Sequence, residues 1–520
     1  MNNRLTPPQA VIIGAGHNGL VTSFYLARAG WQVKIVEARA TIGGACISKR
    51  LGCGCGLSVA ANHFGMLRAE IVKDMKLVER GLHVFVPDPQ MVVTRSEGRS
   101  IAVYRDLVRT KQEILRFSSK DADNFETYLD DLERAASVLK PMLMAPARTV
   151  ADLGVVLDQV QPGFSNRFLY GSLAQVVEHY FENEDVQTAL AATTILYKAS
   201  PWTKGTAFAL LYLSQYSVKD ESVWGLVEGG MGKVTEYMAD AVREVGGEIL
   251  TSTAVKQILI ENNCAIGVEL EGGKWLKADA VFSNADPYTT FMKLLPRGCV
   301  AMEIEAAMKG RDFDGACSKL NLLVDTMPSY ASLPRPRDEE ARGTLTVVTP
   351  NLSGLRELYV KCVNGELGCG SYLEVLCPSC VDPSLRCPKH HTMSVFTIYT
   401  PYAPSGGSWR EYGPHCEAAL IEALETLSPG IRSAISWKEF LNPVDIENQF
   451  GMYKGNVDHG NMDLENLFCD RPLPHANKIS NQFKNLYLCG AGAHPGGLVS
   501  GAPGYNAACQ AIKEHGGLLG

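Results

Sequence analysis

The chain has 520 residues, of which 46% are apolar and 20% charged, and 49 Lys and Arg stand against 56 Asp and Glu for a formal net charge of −7. These values exclude collagen, an extended disordered chain and a polytopic membrane protein, and they leave no basic footprint for nucleic acid. At about 100 to 200 residues per domain, the length predicts two to four domains.

Fifteen cysteines are scattered along the chain, and residues 1–9 carry no secretory signal pattern. An odd, dispersed set argues against a disulfide framework and predicts reduced thiols in a cytoplasmic protein. No apolar run reaches the roughly 18 residues that span a bilayer; the nearest, 207–213, is short. The expectation is a chain that does not cross a membrane, with peripheral contact left open. The oligomeric state is not legible.

In chain order, the first element is a buried-strand pattern at Ala10, Val11, Ile12 and Ile13, followed by Gly14-Ala15-Gly16-His17-Asn18-Gly19 and an apolar helix pattern ending at Gly30. A second strand over 31–36 ends at Glu37, 23 positions beyond Gly14. Strand, glycine turn, helix, strand and acid at this spacing predict a dinucleotide-binding βαβ unit. Gly14 permits the tight turn, Gly16 lets a pyrophosphate approach the backbone, and Gly19 lets helix and strand pack closely. The helix amide groups receive phosphate, so the cofactor-binding residues begin with Gly14, Ala15, Gly16, His17, Asn18 and Gly19. Glu37, with Ala38 beside it, accepts hydrogen bonds from ribose hydroxyls. Gly43, Gly44 and Ala45 follow closely, and a second glycine pair just after the acidic strand suits the two phosphates of FAD better than free NAD.

Beyond about residue 88 the pattern turns helical, as over 122–139 and 184–196, with turns at 141–146 and 161–163. This predicts a helical cap inserted into the nucleotide fold. A helix starts near Gly232 and stops at Gly246, and strands follow over 248–250, 254–260, 265–270, 275–278 and 280–283. They read as a return to the nucleotide domain, with Val255 facing the adenine. Residues 300–445 are rich in Pro, Gly and Cys and predict a β-rich substrate domain. Near the C-terminus come a strand over 485–489, a glycine-rich loop over 490–504 and a helix over 505–513. That helix N-terminus suits the flavin edge where negative charge gathers on reduction, which adds Gly490, Ala491, Gly501 and Ala502 to the cofactor-binding set.

The N-terminal G-A-G-H-N-G with Glu37 and Gly43-Gly44, the central E-G-G-M-G-K over 228–233 and the L-Y-L-C-G-A-G-A-H-P-G-G-L-V-S-G-A-P-G over 486–504 together resemble the phytoene (carotenoid) desaturase family. Within it, the chain is similar above all to the mitochondrial pyridine nucleotide-disulfide oxidoreductase domain proteins and their bacterial relatives. D-P-S-L over 382–385 and D-I-E-N-Q-F-G-M-Y-K-G-N-V-D-H-G over 445–460 extend the similarity through the chain. The resemblance implies an α/β fold: a Rossmann-like FAD-binding domain of the glutathione reductase and amine oxidase type, a discontinuous α+β substrate domain and a helical cap over an apolar tunnel. The expected boundaries are 1–88, 225–299 and 446–520 for the FAD-binding domain, and 89–224 and 300–445 for the substrate and cap domain.

Hydride removal from carbon by a flavin depends on substrate placement and water exclusion more than on a strong base. His494, in the glycine-rich loop, is a candidate acid, base or anion stabiliser at the ring, or a side chain that merely orders the loop. His459 is a second candidate beside Asp458, the alternative being a surface pair. Residues 189–213 either line a tunnel or pack in the core. Cys46 resembles a flavin-disulfide cysteine, but Cys53 and Cys55 follow after six and eight residues rather than four, so unpaired thiols are expected. Cys377, Cys380, Cys387 and His390 have zinc-ligand chemistry, yet the inner spacing is short for a finger and the corresponding family stretch is a Pro-rich loop without metal; no metal is expected.

No second complete G-x-G-x-x-G unit occurs, so oxygen, a quinone or another protein is the expected electron acceptor. The reading is an FAD-dependent oxidoreductase moving hydride between an apolar, isoprenoid-type small molecule and flavin N5. The alternatives are a flavin amine oxidase and a noncatalytic interaction protein stabilised by FAD.

Overall fold

The computed structural model describes residues 7–95, 99–196, 198–216, 224–330, 342–473 and 482–516; residues 1–6 of the stretch read for a signal pattern lie outside this set. Its organising strand is Gln9–Ile13, which pairs in parallel with Gln32–Val36 on one side and Ala280–Ser283 on the other. Leu486–Leu488 adds beyond Ala280–Ser283, and Glu248–Leu250 beyond Gln32–Val36, giving a five-stranded parallel sheet among the described residues. Strands of a parallel sheet are covered on both faces and so read as continuous apolar runs, which is why Ala10, Val11, Ile12 and Ile13 show no alternation.

The two faces are covered differently. Ala10, Ile12, Val33, Ile35, Ala280 and Phe282 pack in one cluster with Leu20, Phe24, Met238, Val242, Ala508 and Ala511, from the helices His17–Arg28, Gly232–Glu244 and Ala502–Glu514. Val11, Ile13 and Val281 meet Ile258, Ala265 and Val268 on the opposite face. Those residues belong to a three-stranded antiparallel sheet of Val255–Glu261, Cys264–Leu270 and Trp275–Lys277. Of the strands expected from 248 to 283, the outer two therefore join the parallel sheet and the inner three form a layer of their own.

The second large sheet holds seven strands among the described residues, in the order Ile435–Leu441, Cys317–Val324, His391–Ile398, Leu373–Leu376, Leu345–Val348, Met91–Thr94 and Ser100–Val103. Pairing is antiparallel except between Leu345–Val348 and Met91–Thr94. Leu320, Leu322, Leu373, Val375, Met393 and Val395 face a cluster completed by Leu420, Ile421 and Leu424 of the helix Trp409–Leu427. Side chains alternate along a strand, so Lys319, Glu374 and Phe396 point the other way.

Helices Ser119–Leu143, Val150–Val160, Leu173–Tyr180, Glu184–Ala191 and Phe208–Leu213 pack over that other side around Phe125, Phe164, Phe168 and Tyr212. Burying each of these rings contributes about 1.5–3 kcal/mol. The helix read over 122–139 starts earlier because the Ser118 side chain caps it, accepting from the Asp121 N–H at 3.1 Å. The helix read over 184–196 ends at Ala191 and passes into a 3-10 turn, Ala192–Thr194. There the Thr194 hydroxyl donates to the Ala191 carbonyl at 2.8 Å. The C-terminal helix begins at Ala502 rather than 505, because Gly501 takes φ +72° and turns the chain into it.

No helix among the described residues is long and apolar enough to cross a membrane.

Candidate active site

The first glycine turn closes as its residue types demand. Gly14, at φ +95°, donates to the Val36 carbonyl at 2.8 Å. A Cβ on Gly19 would lie 2.2 Å from the Gly14 carbonyl oxygen, and one on Gly16 2.8 Å from Asn284 Nδ2. The helix His17–Arg28 opens at Gly16 without a side-chain cap, leaving amide donors at its N-terminus for an anion. Glu37 is nearly buried; its Oε2 accepts from the Ala15 N–H at 2.8 Å and its Oε1 from the Arg39 N–H at 3.0 Å. The carboxylate is thereby held at the strand end with lone pairs left for hydroxyl donors.

From this turn a cavity of about 460 Å³ runs inward, within the range of small-molecule and cofactor sites. Its outer part is lined by Gly14, Gly16, His17, Asn18, Glu37, Ala38, Gly44, Ala45, Val255 and Asn284, and further in by Ala491, Leu498, Val499, Asp458 and His459. Ala15, Gly19, Gly43, Gly490, Gly501 and Ala502 support this wall from behind. Gly43 bridges to Gly16, the space beside Gly490 is filled by Asn284, and that beside Gly501 by Leu67 and Ile71.

The polar atoms here are short of partners. His17 Nε2, Asn18 Oδ1 and His459 Nδ1 are buried and make no hydrogen bond, a cost that a bound polar group offsets. Burial, helped by the neighbouring His459, pushes His17 down to about 4. Burial also lowers His459, with Asp286 pulling the other way. Both rings are neutral at pH 7, each with a nitrogen free to donate or accept. Asp458 is pushed up to about 6 by burial against the opposing pull of Arg471. Arg471 is itself buried and donates to the Ala491, Asn461, Asn466, Asp458 and Gly460 carbonyls, fastening this end of the site.

The inner part lies on the face of the seven-stranded sheet that the cap helices cover. Leu441, Lys319, Phe396 and Glu374 are in register on four adjacent strands, and Cys317 with Ile398 forms the next row. Ile195, Leu196, Leu213, Leu345 and Met66 complete an apolar surround. Lys319 Nζ donates to Ser58 O at 2.8 Å, Ala60 O at 2.9 Å and Asn62 Oδ1 at 2.6 Å, and burial holds its ammonium well below the usual lysine range. Glu374 accepts from the Tyr372 hydroxyl at 2.7 Å, and burial pushes its carboxyl up to about 7. His63 stacks on Trp224 with centroids 4.4 Å apart, and burial beside Lys319 pushes it down to about 3.

Residues 19–352 match the model of the flavin containing amine oxidoreductase family. The chain belongs to this family. It is 30% identical to the pyridine nucleotide-disulfide oxidoreductase domain-containing protein 2 of Mus musculus, over 99% of this chain and 95% of that one. To the phytoene desaturase (lycopene-forming) of Pseudescherichia vulneris it is 24% identical, over 97% and 98%. Its fold matches the crystal structure of an oxidoreductase from Methanosarcina mazei with a TM-score of 0.62 at 17% identity, covering 97% of this chain and all of that one. The protein is accordingly a flavin-containing oxidoreductase with FAD as cofactor and a Rossmann-like FAD-binding fold. The unpartnered His17 and Asn18 atoms, the anchored Glu37 carboxylate and the uncapped helix N-terminus fit that group.

The expectation of reduced thiols needs correction, since Cys369 and Cys416 form a disulfide; the geometry also chooses between the alternatives left open for other residues. His494 does not line the cavity: its Nε2 meets the Met142 carbonyl at 2.9 Å and its ring packs near Phe468, so it fastens the glycine-rich loop to the cap helix. Cys46 is a buried wall residue, and Cys55 meets Cys387 instead. The four zinc-type residues do not gather together. Cys377 and Cys380 group with His391, while Cys387 groups with Cys53 and Cys55. Of residues 189–213, Thr193, Ile195, Leu196 and Leu213 line the cavity, whereas Phe208, Leu210 and Leu211 sit in the core.

Sequence reasoning missed Lys319, Glu374, His63 and Asn284. For the first two a signal exists: each is a single charge inside an otherwise uncharged strand pattern, Cys-Ser-Lys-Leu-Asn-Leu-Leu-Val over 317–324 and Leu-Glu-Val-Leu over 373–376.

Proposed function

We propose that this protein removes or relocates hydride on a predominantly apolar small molecule of isoprenoid type. The observation that carries the reading is the apolar wall of Ile195, Leu196, Leu213, Leu345, Phe396 and Ile398, continuous with the nucleotide end of one cavity. The similarity to the phytoene desaturase (lycopene-forming) of Pseudescherichia vulneris supports the same substrate class.

In this reading residues 1–88, 225–299 and 446–520 bind FAD, and 89–224 and 300–445 hold the substrate. The turn from Gly14 to Gly19 and the pair Gly43-Gly44 receive the diphosphate, Glu37 and Ala38 the ribose, Val255 the adenine, and Gly490, Ala491, Gly501 and Ala502 the ring edge. When bound, FAD supplies a two-electron acceptor, so that no strong base is needed. The chain's own part is to exclude water and hold one carbon–hydrogen bond against the sheet face bearing Phe396. His459, neutral and with a free ring nitrogen, is the group available to move a proton. A greasy substrate of this class partitions into lipid, which favours peripheral membrane contact by a cytoplasmic protein.

A second reading, amine oxidation, is favoured by one observation: the Glu374 carboxyl on the cavity wall, which an ammonium group would ionise and pair with. Anaerobic titration of the purified yellow protein with polyenes and with long-chain amines separates the two. Bleaching of the visible flavin absorbance by a polyene supports the proposal, bleaching by an amine alone transfers the assignment to the second reading, and a protein that holds no flavin after reconstitution overturns both.

A further inference from the structure

We propose that Cys53, Cys55 and Cys387 form a thiolate site for a zinc-class divalent cation, separate from the cavity. Their sulfur atoms lie within 4.8 Å of one another, although Cys55 and Cys387 are 332 positions apart. None of the three lines the cavity.

Each side of the site is built by local backbone geometry. Cys53 and Cys55 sit on a tight turn closed by the Gly54 N–H to Leu51 O and the Leu51 N–H to Cys55 O, both at 2.8 Å. Arg50 Nη1 donates to Gly54 O at 3.0 Å and braces it. Across from it, Cys387 begins a second turn that bridges to His390, and His390 Nδ1 is held 2.7 Å from Asp325 Oδ1. The His390 N–H donates to the Cys387 carbonyl at 3.2 Å and closes this turn.

Cys55 Sγ and Cys387 Sγ are 2.7 Å apart, closer than two sulfurs on one ion. A tetrahedral ion with Zn–S bonds of about 2.3 Å needs its sulfurs about 3.8 Å apart, so a sub-ångström adjustment at each turn admits it. A disulfide between Cys55 and Cys387 would use two sulfurs and leave Cys53 without a role. Three thiolates give a soft donor set selective for zinc over calcium or magnesium. Exposed Cys53 leaves the fourth position to water, and binding releases the thiol protons to solvent. The ion pins the turn after Ser48–Arg50 to the seven-stranded sheet. The returning strand, Gly56–Ser58, leads straight into the cavity wall at Ala60, Ala61, Asn62 and His63.

The test uses FAD-loaded protein prepared anaerobically under reducing conditions. Cobalt(II) is titrated while its thiolate charge-transfer absorption is followed, zinc is added in competition, and metal content is measured by mass spectrometry. The expected result is one equivalent of cobalt displaced by zinc, at least tenfold weaker binding in C55S, C387S and C53S, and unchanged binding in C380S, which alters the neighbouring Cys377, Cys380 and His391 group. Flavin content of each variant reports whether it has folded, and C53S, on an exposed turn, is the substitution best tolerated. The proposal is overturned if reduced wild-type protein takes up no metal, if C55S and C387S bind as wild type, if C380S alone abolishes uptake, or if a Cys55 to Cys387 disulfide forms and its reduction restores no uptake.

Discussion

Lys319 and Glu374 stand on either side of Phe396, in register across three neighbouring strands, and all three look into the cavity. Opposite charges on one face of a sheet usually pair. Here the intervening strand separates them, and each is satisfied differently: Lys319 by three oxygens of the 58–62 segment, Glu374 by the Tyr372 hydroxyl. The consequence is a cavity wall with two fixed polar points in an apolar field, burial lowering the lysine and raising the carboxyl from their ordinary ranges.

That carboxyl has a raised folded-state value, about 7 against 4.5, because burial disfavours its charged form. Its stabilising contribution is therefore fully present below pH 4.5 and is lost as pH rises through about 7. Glu374→Gln, which stays neutral, should gain stability relative to wild type across this window, by about 3 kcal/mol at the upper end. Denaturant unfolding of the two substrate-free proteins at pH 5, 6, 7 and 8 measures the gap, and parallel profiles would refute the assignment.

The two inner glycines of the first turn should fail in different ways. A Cβ on Gly19 meets backbone at 2.2 Å, whereas one on Gly16 meets the mobile end of Asn284 at 2.8 Å. Gly19→Ala should lower stability by about 1–3 kcal/mol, with poor recovery of folded protein. Gly16→Val should fold but retain little flavin, since it fills the space beside the uncapped helix N-terminus. The ratio of flavin to protein absorbance and the melting temperature separate these outcomes; equal flavin retention in Gly16→Val and wild type would contradict the turn's assignment.

Glu37 is held by two backbone amides, so its contribution is charge-assisted acceptance at a fixed point. Glu37→Gln keeps the shape and removes the charge. Hydrogen bonds to charged groups contribute about 1.5–3 kcal/mol, which predicts roughly 10- to 150-fold weaker FAD binding. Fluorescence titration of the apoprotein reads this directly, and an unchanged Kd would remove Glu37 from the ribose site.

His494 is bonded to the Met142 carbonyl, whereas His459 lines the cavity, and the proposed roles of the two differ accordingly. His494→Ala removes the bond to the Met142 carbonyl and should cost about 1–2 kcal/mol of stability, leaving the rate of flavin reduction by substrate within twofold. His459→Ala alters a cavity-lining ring and should slow reduction by a hundredfold or more, in the range of general acid–base effects. Stopped-flow reduction of both variants distinguishes them, and the reverse ordering would reject this placement.

Much of the fold could be read in advance because its signals are local. The strand, glycine turn and helix from Ala10 to Gly30 are dictated by a run of contiguous residues whose conformational limits suffice to specify them. The strands Glu248–Leu250 and Ala280–Ser283 announce themselves by short apolar runs between turn residues. Helix ends were less legible: Ala502 and Ala191 bound their helices through a left-handed Gly501 and a threonine-containing turn, where one hydrogen bond outweighs the periodic pattern.

The sequence by itself determined the glycine turn and its acid and the glycine-rich loop near the C-terminus, because each rests on backbone conformations that few residue types permit. Only the tertiary structure decided which way His494 and His459 face, that Lys319 and Glu374 share one wall, and that Cys387 meets Cys53 and Cys55 rather than its neighbours Cys377 and Cys380. These depend on strand register and on loops meeting from opposite ends of the chain. Such long-range packing is settled by the burial of many side chains together, and no local spacing records it.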